Sequence, residues 1–192
     1  MIAAVILAAG GSSRFGYPKQ LLTHEGENLV RRAATAAIGA KLVPVVVVLG
    51  AYASTIKQQL AGLDAVIFVE NAKWANGQAS SLRLGIKAVM SVDADAALVM
   101  LADQPLVDST CLSQLIGAFN KDHRLVAASY SDTIGAPAIF GAEYFNDLVR
   151  LRGDHGAGKW LREREESVTP VRLDEAAADI DTPDDLKHLR LD

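Results

Sequence analysis

The run Leu7-Ala8-Ala9-Gly10-Gly11-Ser12-Ser13-Arg14-Phe15-Gly16-Tyr17-Pro18-Lys19-Gln20 holds two consecutive glycines, an arginine and a lysine in one short stretch. Adjacent glycines let the main chain turn tightly and approach a ligand without Cβ interference. Successive N–H groups in such a turn form a nest for anions. Arg14 adds a planar fork of donors for phosphate oxygens, and Lys19 a compact point charge. The chemistry this combination serves is phosphate binding with stabilisation of shifting negative charge. It is neither the Walker pattern nor the dinucleotide fingerprint, because Gly-Lys-Ser/Thr is absent and the glycine spacing differs. An ordinary strand-to-helix loop with two solvated cations is the bland alternative. What favours a site is position, since the loop follows directly on the first apolar run.

Two carboxylate positions complement that loop. Leu101-Ala102-Asp103-Gln104-Pro105 ends another apolar run with an acid. An aspartate before a proline is often a simple turn former. At the carboxyl end of a central strand, however, Asp103 would suit Mg²⁺, which is held by one or two carboxylates plus phosphates and waters. The second cluster is Asp179-Ile180-Asp181-Thr182-Pro183-Asp184-Asp185-Leu186. Thr182 reads as a helix N-cap, Pro183 as the first helical residue, and Asp185 as part of a box-like cap. Capping leaves Asp179 and Asp181 unexplained. A third stretch, Asn71-Ala72-Lys73-Trp74-Ala75-Asn76-Gly77-Gln78-Ala79-Ser80-Ser81-Leu82-Arg83, precedes a helix. Ser80 or Ser81 is a natural N-cap there, and Trp74 could be a core or lid residue.

The elements that must position these residues can be read from periodicity. Strands are expected at Ala3 to Leu7, Val43 to Leu49, Ala65 to Val69, Ala96 to Leu101, Leu125 to Tyr130, Pro137 to Phe140 and Val168 to Val171. Helices are expected at Leu29 to Ile38, Thr55 to Leu60, Ser80 to Met90, Ser109 to Phe119 with Asp108 as cap, Ala142 to Leu151, Gly158 to Arg164 and Thr182 to Leu189. Uniformly apolar strands alternating with helices predict a three-layer α/β fold with a mostly parallel, Rossmann-like sheet covered on both faces. In such a sheet ligands bind at the carboxyl ends of the strands, the rim where the Gly-rich loop and Asp103 fall. The 192 residues, half of them hydrophobic, are ample for one domain spanning 1-192.

Composition narrows the partners. A formal net charge of −4 supplies no global basic field, which argues against nucleic acid and anionic membranes. No apolar run approaches a membrane span, and the apolar start lacks a basic leader region, so a cytoplasmic protein is expected. The single cysteine, Cys111, rules out an internal disulfide framework and reads as a buried apolar thiol. His24, His123 and His188 are scattered and show no metal-ligand spacing.

The Gly-rich run resembles the signature loop of the MobA-like nucleotidyltransferases, which include the molybdopterin-guanine dinucleotide, molybdenum cofactor cytidylyl- and diphosphocytidyl-methylerythritol synthases. The resemblance extends along nearly the whole chain. It implies that Leu7, Ala8, Ala9, Gly10, Gly11, Ser12 and Ser13 wrap a nucleoside triphosphate, with Arg14 and Lys19 stabilising the transferred charge. Leu-Ala-Ala-Gly and Pro-Lys-Gln are similar to the cytidylyl branches, whereas guanylyl members tend towards Leu-Ala-Gly-Gly, which leaves room for a purine. Asn-x-x-Trp-x-x-Gly-Gln-x-Ser-Ser-Leu-Arg and Leu-x-Asp-Gln-Pro resemble the molybdenum cofactor cytidylyltransferases (MocA-type). The likeness implies base contacts from Gly77 and Ser81 beside Ser80, and metal ligation by Asp103 with Asp181 as second ligand. Gly135 and Pro137 match the family's Gly-x-Pro, and Gly153-Asp154-His155-Gly156-Ala157 its Gly-Asp-x-Gly-Ala, so Gly135, Pro137, Asp154 and His155 are candidate acceptor-site residues. A departure follows at once: Gly158 stands where the family's arginine is usual, with Lys159 next.

The implied reaction is Mg²⁺-dependent transfer of CMP from CTP to the phosphate of molybdopterin, with pyrophosphate leaving and a molybdoenzyme as possible client. The competing expectations are a guanylyl- or other nucleotidyltransferase using another NTP or phosphorylated acceptor, and a non-catalytic protein that binds or delivers molybdenum cofactor.

Overall fold

The computed structural model describes residues 1–12, 15–121 and 125–180. In chain order the elements are β1 (Ile2–Ala8), a two-stranded hairpin of β2 (Thr23–His24) and β3 (Glu27–Asn28), and α1 (Leu29–Gly39). There follow β4 (Val45–Leu49), α2 (Ala53–Gln59), β5 (Val66–Glu70), α3 (Gln78–Met90), β6 (Ala96–Leu101) and α4 (Ser109–Phe119). The second half holds β7 (Leu125–Tyr130), β8 (Thr133–Gly141), α5 (Phe145–Leu148), α6 (Ala157–Arg162) and β9 (Thr169–Arg172). Seven strands form one sheet in the order β5-β4-β1-β6-β8-β7-β9. All neighbours are parallel except β8, which runs antiparallel to both β6 and β7.

Alternation along β1 shows how the layers form. Ala4, Ile6 and Ala8 pack with α1, Ile56 of α2, and Cys111, Leu112 and Leu115 of α4. Ala3 and Val5 face the other way, onto Leu82, Ile86 and Val89 of α3, in the same cluster as α5 and α6. A strand's side chains point to opposite faces with period two, so a strand covered on both must be apolar throughout. That is the three-layer arrangement expected. Asp108 caps α4 as expected, its carboxylate accepting from Cys111 N at 2.8 Å, and Cys111 is buried.

The departures have local causes. β8 is longer than Pro137 to Phe140 because Ser131 (φ 46°) and Asp132 (φ 56°) make a tight turn that pairs it with β7 from Thr133 onward. The helix expected at Ala142 to Leu151 is a 3₁₀ turn followed by only the four residues of α5, after which Arg150 N and Leu151 N bond three residues back. α6 likewise ends at Arg162, not Arg164. β5 is an edge strand and not covered on both faces: Ile67 is 44% and Phe68 37% exposed. Lys57 of α2 lies over the Phe68 ring and pairs with Glu70, which puts a charge on that edge. The closing helix expected at Thr182 to Leu189 lies outside the described residues, as do His123 and His188. No helix among the described residues is long and apolar enough to cross a membrane.

Candidate active site

β1 and β6 are adjacent and parallel, so Gly10–Gly11 and Asp103 emerge side by side at the same rim of the sheet. The loop after β1 is held by the polar side chains that follow it. Gln20 is only 3% exposed, and its Nε2 donates to Ala8 O at 3.3 Å and Gly10 O at 2.8 Å. The Ser12 hydroxyl accepts from Lys19 N at 3.1 Å and donates to Gln20 Oε1 at 3.4 Å. The Tyr52 hydroxyl donates to Gly11 O at 3.4 Å. With its carbonyls tied down from below and behind, the turn presents its remaining backbone to the cleft. The Trp74 ring lies on the other side: a Cβ at Gly11 would come within 2.8 Å of it. Ser13 and Arg14 lie outside the described residues.

Lys19 reaches across the cleft to Asp103, Nζ to Oδ2 at 2.5 Å, and also donates to Ile180 O at 3.0 Å. Both side chains of the pair are more than four-fifths buried. The other carboxylate oxygen, Asp103 Oδ1, is buried and accepts no hydrogen bond among the described residues. A buried polar atom without a partner costs on the order of 1–3 kcal/mol. A hard cation is the natural partner for such an oxygen, so Asp103 fits a divalent metal. Asp181, the expected second ligand, lies outside the described residues. Its chain neighbour Ile180 is tied to the site, with its N–H donating to Asp103 O at 3.2 Å. Gln104, which the sequence reading passed over, strengthens that link. Its Nε2 donates to both Ala136 O and Ala176 O at 2.9 Å, fastening the 176–180 segment and β8 to the end of β6.

The stretch before α3 corrects one expectation. Neither Ser80 nor Ser81 is the N-cap, because the helix already begins at Gln78, with Gly77 in the cap position and no side-chain cap. Gly77 has φ 95°, and a Cβ there would lie 2.4 Å from the Gly153 carbonyl carbon and oxygen. Only glycine admits that conformation and that approach. The serines are instead tethered by Asn71, which is 3% exposed and donates to Ser80 Oγ at 2.8 Å and Ser81 Oγ at 2.9 Å. Ser80 passes its own proton to Gly77 O at 2.8 Å. Ser81 has no acceptor among the described residues and faces the cleft, so its proton is available to a ligand.

The cleft so enclosed measures about 440 Å³. Of the expected nucleotide-site residues it brings together Leu7, Ala9, Gly10, Gly11, Lys19, Gly77, Ser81 and Asp103, and it adds Trp74, Gln78 and Asp154. Ala8, Ser12 and Ser80 lie behind this wall and hold it. Past Asp154 the cleft opens into a second pocket of about 230 Å³, walled by Gly135, Ala136, Tyr130, Gly158, Lys159 and Arg162. Burial pushes the Tyr130 hydroxyl above the usual phenol range; Asp179 and Asp103 add to the shift and Arg162 opposes it. Two expected acceptor residues are not on that wall. Pro137 is buried beneath it, and His155 turns towards Glu163, Nε2 to Oε2 at 3.2 Å. Gln20, Gln104, the position of the Trp74 ring, Tyr130 and Arg162 were not expected at the site; Gln20 and Gln104 alone carried a signal, as polar residues within the Pro-Lys-Gln and Leu-Ala-Asp-Gln-Pro motifs.

Comparison with known proteins identifies the family to which this fold belongs. Residues 4–168 match the family model described as the MobA-like NTP transferase domain. The chain is 27% identical to the purine catabolism protein PucB of Bacillus subtilis, over 97% of this chain and 94% of that one. The crystal structure of Rv0371c from Mycobacterium tuberculosis H37Rv is 31% identical, superposes with a TM-score of 0.83, and covers 98% of this chain and 96% of that one. A manganese complex of Rv0371c is 30% identical over 98% and 96%, with a TM-score of 0.78. A nucleotidyl transferase from Methanothermobacter thermautotroptrophicus, 24% identical over 99% and 96%, has the same fold with a TM-score of 0.83. A glycine-rich turn, a lysine and a half-satisfied buried carboxylate at one sheet rim are thus set in a known frame, and the chain is a nucleotidyltransferase belonging to the MobA-like family.

Proposed function

We propose that the chain is a cytidylyltransferase that moves CMP from CTP to the phosphate of molybdopterin, with pyrophosphate leaving. The observation that carries the reading is the meeting of the Gly10–Gly11 backbone, Lys19 and Asp103 on one cleft with a second, cation-bearing pocket joined to it. A donor triphosphate would lie along the glycine turn. The acceptor's phosphate oxygen would then approach from the second pocket, on the far side of the α-phosphorus from the leaving pyrophosphate. A new P–O bond forms as the bond to the pyrophosphate oxygen breaks, with no covalent enzyme intermediate. A phosphate monoester has a second pKa near 6, so it is already ionised at neutral pH and no general base is required. The backbone N–H groups of the turn and Lys19 stabilise the charge passing to the leaving group, as preorganised donors do. Arg14 belongs to the same loop by sequence and is proposed to share that task.

A divalent cation, Mg²⁺ in this reading, would be held by Asp103 with Asp181 and would neutralise phosphate charge when bound. The carboxylate with one unpartnered oxygen supports this, as does the manganese bound by Rv0371c. The Leu7-Ala8-Ala9-Gly10 start, similar to the cytidylyl branches, and the Ser81 proton, which faces the cleft and matches a cytosine acceptor atom, support the choice of base. The test is competition between labelled CTP and GTP at equal concentration with Mg²⁺ and molybdopterin. CTP is expected to be used at least tenfold faster, and preferential use of GTP would refute the cytidylyl assignment.

A further inference from the structure

The second pocket lacks an arginine at position 158 but contains one from the next turn of α6. Residues 158 and 162 are i and i+4, on one face of the helix, and helical side chains lean towards the N-terminus. The Arg162 guanidinium accordingly folds back over Gly158, where a Cβ would sit 3.3 Å from its Nη1. Glycine is a poor helix former, so its use inside α6 calls for a reason. Room for that guanidinium supplies one. The neighbouring Arg164 is engaged elsewhere, 4.2 Å above the Trp160 ring and 3.8 Å from Glu163. Arg162 is exposed and makes no ion pair among the described residues.

Opposite Arg162 stands the Tyr130 hydroxyl, whose oxygen would lie 2.5 Å from a Cβ at Gly135. Its raised pKa keeps it protonated near neutrality. The Arg162 guanidinium, the Lys159 ammonium and the Tyr130 phenol proton are donors against one carboxylate on the wall, Asp154, so the balance of charge favours an anion, and a guanidinium can grip a phosphate through two oxygens. We infer that Arg162, seated over Gly158, binds the acceptor's phosphate and sets the preference for a phosphorylated acceptor over its dephosphorylated form. This rests on the transfer reading above.

The experiment is calorimetric titration of molybdopterin and dephosphomolybdopterin into the wild-type protein and into the Arg162→Ala, Arg162→Lys and Gly158→Ala variants, without nucleotide. Wild type is expected to favour the phosphorylated form at least tenfold. Arg162→Ala loses that preference while its Mg²⁺–CTP affinity stays within twofold, Arg162→Lys keeps part of it, and Gly158→Ala loses a few-fold by displacing the guanidinium. If Arg162→Ala retains the wild-type preference, the inference is overturned and the transfer reading stands. If wild type binds neither form, the proposed acceptor is wrong and the inference falls with it.

Discussion

Asp103 has two oxygens in different circumstances: one is paired with Lys19, and the other is buried without a hydrogen-bond partner among the described residues. That asymmetry is the strongest residue-scale sign of a ligand. Lys19→Ala and Asp103→Ala are each expected to lower kcat by 10²–10³, about 2.7–4 kcal/mol of transition-state stabilisation. Pyrophosphate release measures the loss, and an unchanged circular dichroism spectrum separates it from misfolding. Ser80 and Ser81 make a sharper pair because they share the Asn71 tether and differ only in where their protons go. Ser81→Ala should raise the KM for CTP about fivefold, the worth of one hydrogen bond of roughly 1 kcal/mol. Ser80→Ala should instead lower the melting temperature by loosening the turn into α3, with KM for CTP nearly unchanged. Steady-state kinetics beside thermal melts would read both. The types of these residues were legible in the sequence, since glycine pairs, lysines and strand-end acids have few uses together. Their hydrogen-bond partners were not, because Asn71–Ser81 and Gln104–Ala176 depend on which chain segments meet.

At the scale of elements, α4 shows what local sequence can specify. Its cap, Asp108, and both its ends agree with expectation because the capping carboxylate bonds its own chain three residues on. Burial raises the Asp108 pKa, but hydrogen bonds from Cys111 and Thr110 outweigh it, and the net shift is downward. A carboxyl with a depressed folded pKa stabilises the fold above its unfolded value of about 3.9 and loses that contribution as pH falls through the folded value. Asp108→Ala should therefore cost about 1 kcal/mol at pH 7, and the difference from wild type should vanish in acid. Thermal melts at pH 7 and below pH 3 would check the sign. α3 and β8 were less legible. The start of α3 is set by Gly77 pressed against Gly153, and β8 is lengthened by pairing with β7; both are tertiary effects that periodicity does not carry.

Over the whole molecule, charge and topology act together. The net charge is −4, yet Lys19, Lys159 and Arg162 converge on two joined pockets at one rim of the sheet. Positive charge is thus gathered locally on a chain of net negative charge, which is what the proposed transfer between small phosphates requires. The layer order was readable because every central strand is apolar on both faces, whereas the place of β8 between β6 and β7 was not, since antiparallel insertion leaves no mark in composition. If these pockets join a cytidylyl group to a phosphorylated pterin, as proposed, incubation of the protein with all four NTPs, Mg²⁺ and molybdopterin yields molybdopterin cytosine dinucleotide by mass analysis, with one pyrophosphate released per product. A guanine dinucleotide, or no dinucleotide at all, would refute the proposal.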